Sequence, residues 1–585
     1  MSILASLVRA YDRLPDAPAI GYSAEKIGFL ISLNADGTVA NVVDLRTGEG
    51  KKKITREVVV PQAVKRASGI ACNFLWDKTA YVLGVTAGEG KRLAAEHAAF
   101  VERHEEVLQG QADKGLQALM QFLENWSPEQ FVAPLWPDDM KDQNVAFCLE
   151  EDRLRGVMLH DRPTARDLWA KLSSSDDALN RACLVIGEAG PVARLHPSIK
   201  GVWGGQSAGG SIVSFNLDAF SSYGHEQGDN AQVSEVAAFK YTTALNRLLS
   251  KDSSHRIQIG DASTVFWADA GDAGDPELAG EAESLFLQLV DPGGDDGAAT
   301  QRIAAKLKDI RDGKPLTEIE PRLDGVRFYV LGLAPNAARI SIRFYFEDSF
   351  GVLTRHYQRY LQDMALEPGP REKFPPLWRY LTELAVLGKR ENVPPNLAGE
   401  WMRAILSGAR YPMTLLSTVL QRIRSDGEIG ALRVAMLRAL LVRNFNLSKE
   451  APVALDTENT NRGYLLGRLF AVYERAQLAA LGDVNASIKD KFYGSASAQP
   501  RKVFHMLDRG SANHLSKLGK QSPGYRVVLE RTLSTIMDQM QPGADPFPAS
   551  LSAEEQALFG LGYYHQRNEF FRKSSTNTGD QETAA

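Results

Sequence analysis

The spacing of apolar residues along this chain changes near residue 350, and this change constrains the fold more than any other feature. Before it, apolar and polar residues alternate in short runs, most clearly at 326–334 and 338–348 on either side of a Pro-Asn-Ala turn. Alternation of this kind predicts strands that pair as hairpins. From about residue 353 onward, apolar residues recur every three or four positions, as on one face of a helix. We therefore predict an α+β fold, in which a mixed N-terminal domain with hairpins precedes an all-α C-terminal helical bundle.

The N-terminal part contains further segments with one of these two periods. A second hairpin is predicted for 26–33 and 38–45, because both arms alternate and Gly37 can supply the positive φ of the turn between them. Ser234 is placed to N-cap a helix within 233–249. The other predicted helices cover 3–14 and, as a pair, 91–125; the other predicted strands cover 58–62, 144–150, 182–187, 256–260 and 263–269.

A chain of 585 residues is too long for a single hydrophobic core, so we predict several packed units. Residues 261–300 hold ten Asp or Glu and no Lys or Arg, and we interpret 269–297 as an acidic loop insertion that flanks a short helix. The predicted boundaries are an α+β domain at 1–350, a helical connecting region at 351–450, a helical bundle at 451–570 and a disordered polar tail at 571–585.

Composition and local pattern argue against several classes of protein. No stretch approaches the ~20 consecutive apolar residues of a membrane span. Residues 3–14 intersperse charges among apolar residues, unlike the core of a signal peptide, so we expect a cytoplasmic protein without a membrane partner. Cys72, Cys148 and Cys183 lie far apart and lack the spacing of zinc ligands. We expect three buried thiols, no metal and no cofactor.

Residues 205–209 read GQSAG, the G-x-S-x-G pattern in which Ser207 would be the nucleophile of a serine hydrolase. That motif requires a buried strand before the turn and a helix after it. Here Pro197 and Gly201 interrupt the approach, and the β-branched residues of 211–217 predict a strand at the exit. A hydrolase therefore stays one alternative. The others are a tight turn between strands, or a glycine-rich loop that lets backbone amides approach another molecule closely.

The formal net charge of −5 and the pI of about 6.1 are not those of a stand-alone nucleic-acid binder. The charge is nevertheless segregated, since 46–78 holds eight Lys or Arg against three Asp or Glu, and 489–531 holds nine against three. In the first segment, aromatic residues alternate with basic ones, a pattern that can clamp nucleic acid but that also occurs in ordinary cores. In the second, no acidic cluster accompanies the cations, so a metal-dependent nuclease centre is not predicted and a solvated helix face is the alternative.

Several long motifs resemble those of one known family. They are SGIACNFLWD at 68–77, WGGQSAGGSIVSFN at 203–216, FSSYGHEQGDNAQVS at 220–234, YTTALNRLL at 241–249, HRIQIGDASTVFWAD at 255–269, FYVLGLAPNAARISIRFY at 328–345, YLLGRLFAVYERAQ at 464–477 and PRKVFHMLDRGSANHLSKL at 500–518. Over residues 1–570 the chain resembles the large subunit of the type I-C CRISPR surveillance complex, the Csd-one or Cas-eight-c family. The acidic insertion does not belong to this pattern, and its role is open.

The resemblance implies a DNA reader that is not an enzyme. In such RNA-guided assemblies, guide pairing reads the target sequence, while the protein reads a short protospacer-adjacent motif in the duplex and helps the strands to separate. The implied partners are a CRISPR RNA-containing complex with backbone and handle-binding subunits, target double-stranded DNA, the displaced single strand, a helicase-nuclease, and a small subunit that matches the C-terminal region. Residues 1–350 would read the motif, and the helical region would line the path of the displaced strand.

Three sets of residues are candidates for these contacts. Amide and hydroxyl groups can donate to and accept from base edges, and long cationic side chains can contact phosphates. The candidates for motif reading are Asn73, Gln206, Ser207 and Asn216; those for the DNA backbone are Lys51, Lys52, Lys53, Lys65, Arg66 and Lys78; those for the displaced strand are Arg501, Lys502, Arg509, Lys517 and Lys520. Besides the hydrolase, a scaffold subunit that makes no direct DNA contact stays an alternative.

Overall fold

The computed structural model divides the chain into two compact units, each with its own hydrophobic core. The first comprises Met1–Ser198 and Val213–Arg247, and the second comprises Ile199–Ile212 and Leu248–Ala585. The structure describes residues 2–15, 17–48, 53–64, 66, 69–173, 180–271, 275–291, 300–482 and 484–571. Outside them lie Lys51, Lys52, Lys65, the predicted disordered tail beyond residue 571, and 272–274 and 292–299 of the acidic stretch. The domain boundaries predicted near residues 350 and 450 stay predictions.

The first unit begins with the predicted amphipathic helix, Ile3–Asp12 (α1). Ser2 caps this helix, because its hydroxyl oxygen accepts a hydrogen bond from the Ala5 amide at 3.2 Å. The side that carries Leu7 and Tyr11 is buried, while the charged residues between them face solvent or the rim of the core. The periodicity of the sequence therefore predicts this element correctly.

Strands form the centre of the first unit. They are Tyr22–Ile27 (β1), Phe29–Leu33 (β2), Val39–Asp44 (β3), Arg56–Pro61 (β4), Trp76–Lys78 (β5) and Asn144–Leu149 (β6). A four-stranded sheet has the order β3-β2-β6-β5, and β1 pairs with β4 separately. β2 and β3 are the predicted hairpin, and Gly37 in its turn has a φ of +79°. β6 lies parallel to β2 in the middle of the sheet, which explains its almost unbroken apolar sequence.

Helices of the first unit cover one side of this sheet or follow it in the chain. They are Thr79–Val82 (α2), Leu93–Leu108 (α3), Lys114–Asn125 (α4), Glu150–Arg153 (α5), Pro163–Ser173 (α6) and Glu235–Leu248 (α7). α3 and α4 confirm the two helices predicted within 91–125. Ser234 precedes α7 as predicted, and its hydroxyl oxygen accepts a hydrogen bond from the Ala237 amide at 3.3 Å.

The strand predicted at 182–187 is wrong. A short strand at Asn180–Ala182 (β7) pairs with Ala189–Pro191 (β8), and the residues between them form a turn. The Gly187 amide donates to the Cys183 carbonyl at 2.8 Å, and Gly187 has a φ of +79°. The apolar letters of this segment suggested a strand, but the glycine permits the left-handed backbone that reverses the chain.

The second unit contains a four-stranded antiparallel sheet. Its strands are Arg256–Ile259 (β9), Ala262–Asp269 (β10), Arg327–Asn336 (β11) and Arg339–Ser349 (β12). They lie in the order β12-β11-β10-β9, and β11 with β12 is the predicted hairpin. Ala337 at its tip has a φ of +54°. Phe266, Phe328 and Val330 contribute to the core of this unit.

Much of the acidic stretch is helix. Pro276–Val290 (α8) has 15 residues, and it buries an apolar stripe that includes Leu278, Leu285 and Phe286. The stretch therefore holds more helix and less loop than predicted, and α8 packs on the sheet as an amphipathic helix. Of its acidic residues, Glu277 faces solvent, Glu281 pairs with Lys306, and Glu283 accepts a hydrogen bond from the Ala268 amide at 2.8 Å. Three further helices follow: Thr300–Arg311 (α9), Leu316–Ile319 (α10) and Pro321–Asp324 (α11).

The remainder of the second unit is helical, as the periodicity after residue 353 predicts, and the α+β fold class is confirmed. The helices are Phe350–Asp363 (α12), Leu377–Leu384 (α13), Pro395–Ser407 (α14), Met413–Asp426 (α15), Ala431–Phe445 (α16), Arg462–Leu481 (α17), Ile488–Ala498 (α18), Pro500–Gln521 (α19), Pro523–Asp538 (α20) and Ala553–Glu569 (α21). α17 and α21 make the closest helix pair, and glycines on both helices form their contact.

Membrane-spanning helices and metal-binding clusters are both absent from the described residues. None of the helices in these ranges is both long enough and apolar enough to cross a membrane. Within the same ranges, no group of three or more His, Cys, Asp or Glu side chains could hold a metal ion. Cys72, Cys148 and Cys183 are free and buried, as expected.

Candidate nucleic-acid interface

The GQSAG motif lies in a loop that is attached to the tip of the β11–β12 hairpin. Ile199 and Gly210 close the loop, since each amide donates to the carbonyl of the other residue, at 2.8 and 2.9 Å. Ser211 then joins the loop to β12, because its amide donates to the Ala338 carbonyl at 3.2 Å and its carbonyl accepts from the Ile340 amide at 3.0 Å. We call residues 199–211 the glycine loop. Its two ends are bonded to each other and one of them to β12, and this holds the residues between them in place.

The glycines are needed for the path of this loop. Gly201 has a φ of +86°, and a Cβ atom there would lie 2.7 Å from the Leu249 carbonyl oxygen. Gly204 and Gly209 have φ values of +72° and +85°, a backbone region that residues other than glycine rarely adopt. A Cβ atom at Gly210 would lie 3.0 Å from the Ile340 side chain. Close packing and left-handed backbone therefore account for the glycine pattern without a catalytic role for the serine.

The exposed side chains of the glycine loop include those of Trp203, Gln206 and Ser207. Trp203 is 67% exposed, although its amide is held by a 2.8 Å hydrogen bond to the Ser263 hydroxyl. Gln206 and Ser207 are exposed and make no side-chain hydrogen bond with any residue that the structure describes. The Gln206 carbonyl accepts from the Gly209 amide at 2.9 Å, which fixes the backbone under both side chains. An aromatic ring, an amide and a hydroxyl thus stand in solvent on a constrained backbone.

The surroundings of Ser207 lack the parts of a serine hydrolase. Within the described ranges, no histidine or carboxylate hydrogen-bonds to its hydroxyl. No helix leaves the turn that contains it, and the strand predicted at 211–217 is wrong, because after the bridge at Ser211 these residues are irregular. A nucleophile elbow presents its serine between a strand and a helix, and this loop has neither.

Asn73 in the first unit is buried, with 4% of its surface exposed. Its side-chain oxygen accepts a hydrogen bond from the backbone amide of Val64 at 3.0 Å. The backbone amide of Asn73 donates to Asp77 Oδ2 at 2.8 Å. The amide group that sequence reasoning assigned to base reading is therefore used to brace the chain between Val64 and β5. In this conformation it is not available to a ligand.

Arg66 is also bound within the protein. Its guanidinium pairs with the buried Asp77 carboxylate, donates from Nε to the Ala71 carbonyl at 2.6 Å, and lies 4.1 Å from the centre of the Tyr81 ring. Burial raises the pKa of Asp77, and the positive charge of Arg66 opposes this effect. The negative charge of a paired carboxylate offsets the positive charge of the cation. Such a pair attracts a phosphate more weakly than a free cation does. Arg66 therefore has a structural role in the first unit, and its assignment to the DNA backbone stays a prediction.

The other basic candidates of the first unit differ in their pairing. Lys53 lies 2.7 Å from Asp44 Oδ2, where Arg46 and Lys53 together hold the pKa of the Asp44 carboxyl well below its usual range. Lys78 is exposed and makes no ion pair with a described residue. Asn216 is exposed in the first unit and interacts with another group of the protein.

Several unpaired cations lie on α19. Its buried side is apolar, and it includes Val503, Leu507, Leu515 and Leu518. The opposite side presents four exposed cations that make no ion pair with any residue in the described ranges: Lys502, Arg509, Lys517 and Lys520. We call this side, with these four residues, the α19 basic face.

Geometry explains why these four cations share one side. Lys502 and Lys520 are five helical turns apart, which corresponds to about 27 Å. Arg509 lies between them after about two turns, and Lys517 lies one turn before Lys520. Arg501 does not belong to this face, because it pairs with Asp545 at 2.8 Å and with the Phe547 carbonyl at 3.3 Å.

Two features of these surfaces escaped the sequence-based assignment. Trp203 is not among the sequence-based candidates. The two glycines that follow it interrupt any periodic spacing of apolar residues, so the sequence does not predict that its side chain is buried. Asn513 and Ser516 lie on the exposed side of α19 and add hydrogen-bonding groups to the basic face. Helical spacing from Lys502 and Arg509 would have found both. His514 stands at the edge of this face, where burial and the charge of Lys517 lower its pKa.

Comparison with known proteins gives one result that covers nearly the whole chain. The model of the family described as CRISPR-associated protein (Cas_Csd1) matches residues 7–571. This range includes the glycine loop and the α19 basic face. No curated protein matches the chain.

Proposed function

This chain belongs to the Cas_Csd1 family of CRISPR-associated proteins, and from that membership we propose that it is the non-catalytic large subunit of a type I-C surveillance complex. In this proposal it reads the protospacer-adjacent motif in duplex DNA, promotes strand separation and R-loop formation, and breaks no covalent bond. Protein contacts are needed for that step, because exchange of a DNA duplex for a guide–target duplex is nearly balanced in free energy.

The observation that carries the motif-reading assignment is the glycine loop. Its backbone is held at both ends, and Trp203, Gln206 and Ser207 extend from it into solvent. A glutamine amide can make a bidentate contact with adenine, and a serine hydroxyl can donate to or accept from several bases. An exposed indole can stack on a base that leaves the duplex. A constrained loop loses little conformational entropy when it binds, which favours a specific contact.

The α19 basic face supports the second part of the proposal, a path for the displaced strand. About 27 Å of helix carries four unpaired cations, a length that matches about eight stacked nucleotides. Phosphate contacts of this kind position a strand without reading its sequence. Ser516, Asn513 and the cations of this face suit such a role. The acidic net charge of −5 suits a subunit whose partners supply the rest of a positive channel.

The proposed partners follow from the family. They are a CRISPR RNA-containing complex with backbone and handle-binding subunits, the target duplex, the displaced strand, a helicase-nuclease effector, and a small subunit that matches the C-terminal helices of this chain. Each of these would contact a different part of the molecule. The assignment of the glycine loop to the target duplex can be tested without knowledge of the other contacts.

Replacement of Gln206 by Ala tests the motif-reading role. We expect binding of the reconstituted complex to motif-containing duplex to weaken by about 1–3 kcal/mol, the scale of one good base contact. Binding to a duplex with a scrambled motif should be unchanged, because the lost contact carries sequence information. Mobility-shift titrations with both duplexes measure the two affinities.

The matched control is Gln109→Ala, since Gln109 is an exposed glutamine at the end of α3 that supports no tertiary contact through its side chain within the described ranges. This variant should bind both duplexes as the wild type does. Equal loss on the two duplexes in Gln206→Ala would contradict the assignment and favour a scaffold or a purely electrostatic role.

A further inference from the structure

A groove of about 480 Å³ lies between α15 and the beginning of α21 in the second unit. Its floor is apolar and includes Met413, Leu416, Leu420 and Ala553. Arg424 and Gln556 stand at its rim, and the guanidinium of Arg424 donates to the side-chain oxygen of Gln556. This groove is not part of either surface in the proposed function.

The groove exists because the apolar side of α15 is wider than the part that the core covers. Leu415, Val419 and Ile423 are buried in the core of the unit. Leu420, at the edge of this side, is partly exposed, and Met413 is 52% exposed. Residues that line the groove recur along α15 from 413 to 425, which corresponds to about 18 Å of helix. This length is that of about three turns of a second helix lying alongside.

The charge at the rim indicates what the groove would accept. Arg424 makes no ion pair with a carboxylate among the residues that the structure describes. Its neighbours differ, because Arg422 pairs with Asp426, and Arg433 pairs with Asp426 at 2.7 Å and with Glu383 at 3.1 Å. Carboxylates are therefore present nearby but already engaged. One cation beside an apolar floor is complementary to a ligand that is apolar with a single acidic group, and not to a nucleic acid.

We propose that this groove binds an amphipathic helix of a partner protein, whose apolar side chains enter the floor and whose carboxylate pairs with Arg424. Apolar anchors spaced at i, i+3 or i+4 and i+7 fill such grooves in helix-in-groove complexes. The pairing with Arg424 sets the direction of the bound helix, because this cation stands near the C-terminal end of α15. The inference goes beyond the proposed function, since it requires neither DNA nor the glycine loop.

The test uses the full chain and a fluorescein-labelled helical peptide of about 14 residues, with Leu on one face and Glu on the other. Fluorescence anisotropy should show saturable binding. Arg424→Glu should weaken binding by about tenfold or more. Ser417→Trp should abolish it, because Ser417 is exposed and lines the groove, where the indole fills the space. A second peptide with Lys in place of every Glu should bind about tenfold less tightly to the wild-type chain.

Matched controls lie on exposed positions outside the groove. Arg403→Glu reverses an exposed charge on α14, and Ser534→Trp adds an indole to an exposed position of α20. Both should bind the acidic peptide as the wild type does. The Lys peptide tests charge complementarity without any change to the protein, so the result does not depend on how a variant folds.

Two results would overturn the proposal. One is equal binding of the acidic peptide to the wild-type and Ser417→Trp chains. The other is a wild-type chain that self-associates in analytical ultracentrifugation and becomes monomeric in Ser417→Trp, because the groove would then hold a second copy of this chain.

Discussion

His104 joins two elements of the first unit through both of its ring nitrogens. The ring lies fully buried, Nδ1 donates to the Phe100 carbonyl at 2.7 Å, and Nε2 accepts from the Leu75 amide at 2.9 Å. Only the neutral ring can do both, because protonated Nε2 cannot accept. Leu75 has a φ of +62°, so this hydrogen bond holds a backbone conformation that is unfavourable for leucine. Burial lowers the pKa of His104 to about 4.

The lowered pKa of His104 makes the first unit less stable in acid. An unfolded histidine has a pKa of about 6.5, so the unfolded chain binds the proton first as the pH falls. The contribution to stability is complete above pH 6.5 and is lost as the pH falls toward 4, by about 2 kcal/mol between pH 7 and 5. We expect His104→Leu to remove this part of the pH dependence and to destabilise the unit at pH 7 by about 1–3 kcal/mol.

Hydrogen exchange of the amides of residues 73–76 at pH 7 and pH 5 measures this effect locally. The control is His505→Leu, because His505 is exposed on α19, and its pH response should equal that of the wild type. A His104→Leu chain that keeps the wild-type difference between the two pH values would contradict the expectation.

Asn73 and Arg66 show why the sequence indicates which side chains are chemically able to contact DNA better than it indicates which of them are free to do so. Both have side chains suited to DNA, and both lie in a basic, aromatic segment. In the fold, however, Asn73 satisfies the Val64 amide and Arg66 compensates the buried Asp77. A sequence gives the hydrogen-bonding capacity of a side chain but not which partner within the protein uses it. Gln206 differs, because the glycines around it leave no neighbour to bury its amide.

At the scale of elements, the contact of α17 with α21 depends on the absence of side chains. A Cβ atom at Gly467 would lie 2.1 Å from the Phe559 carbonyl oxygen, and one at Gly562 would lie 2.2 Å from the Tyr464 carbonyl oxygen. The two backbones therefore touch, and large residues beside the glycines, such as Phe470, fill the core around the crossing. Small residues allow this close approach, which larger ones would prevent.

Gly467→Ala should separate these helices and lower the melting temperature of the chain. The added methyl group cannot be accommodated by rotation of a side chain, since backbone atoms surround it, and overpacking of this kind costs about 1–3 kcal/mol or more. Gly510→Ala on α19 is the control, because a Cβ atom there meets nothing within 4 Å. That change should stabilise the helix by about 0.5–1 kcal/mol. Thermal unfolding of the two variants should therefore shift in opposite directions.

Helices and strands were predicted well where a turn or capping residue and the spacing of apolar residues indicated the same element. Gly37 and the alternation beside it defined the β2–β3 hairpin, and Ser234 defined the start of α7. The prediction failed at 183–187, where a short apolar run could be a strand or a turn, and at 276–290, where acidic composition concealed a helical stripe. In both cases composition is a weaker guide than the spacing of a few residues.

At the scale of the whole molecule, each of the two units is built from two separate segments of the sequence. Ile199–Ile212 belongs to the second unit, although Val213–Arg247 after it belongs to the first. The attachment depends on hydrogen bonds between Ser211 and the hairpin tip, more than 120 residues further along the chain. No local pattern encodes a pairing of that separation. The motif could thus be noticed in the sequence, but the sheet that supports it could not.

Segregated charge leads to a prediction about the whole molecule. Replacement of the four cations of the α19 basic face by Gln changes the formal net charge from −5 to −9, because four positive charges are removed. If these cations contact phosphates, the slope of log K against log salt for a single-stranded oligonucleotide should fall by about 3, at roughly 0.7 per phosphate. Fluorescence anisotropy of a labelled oligonucleotide with the full chain, measured over a range of salt concentrations, gives this slope.

A second quadruple variant separates local charge from net charge. It replaces by Gln four exposed cations that make no ion pair in the described ranges and that lie away from α19: Lys308, Arg403, Arg410 and Lys449. The net charge again becomes −9, since the same number of charges is removed. Its salt slope should equal that of the wild type, because counterions are released only where phosphates contact the protein. If both variants lost the same slope, the overall field of the molecule would govern binding, and the four residues on α19 would be ordinary solvated side chains of an amphipathic helix.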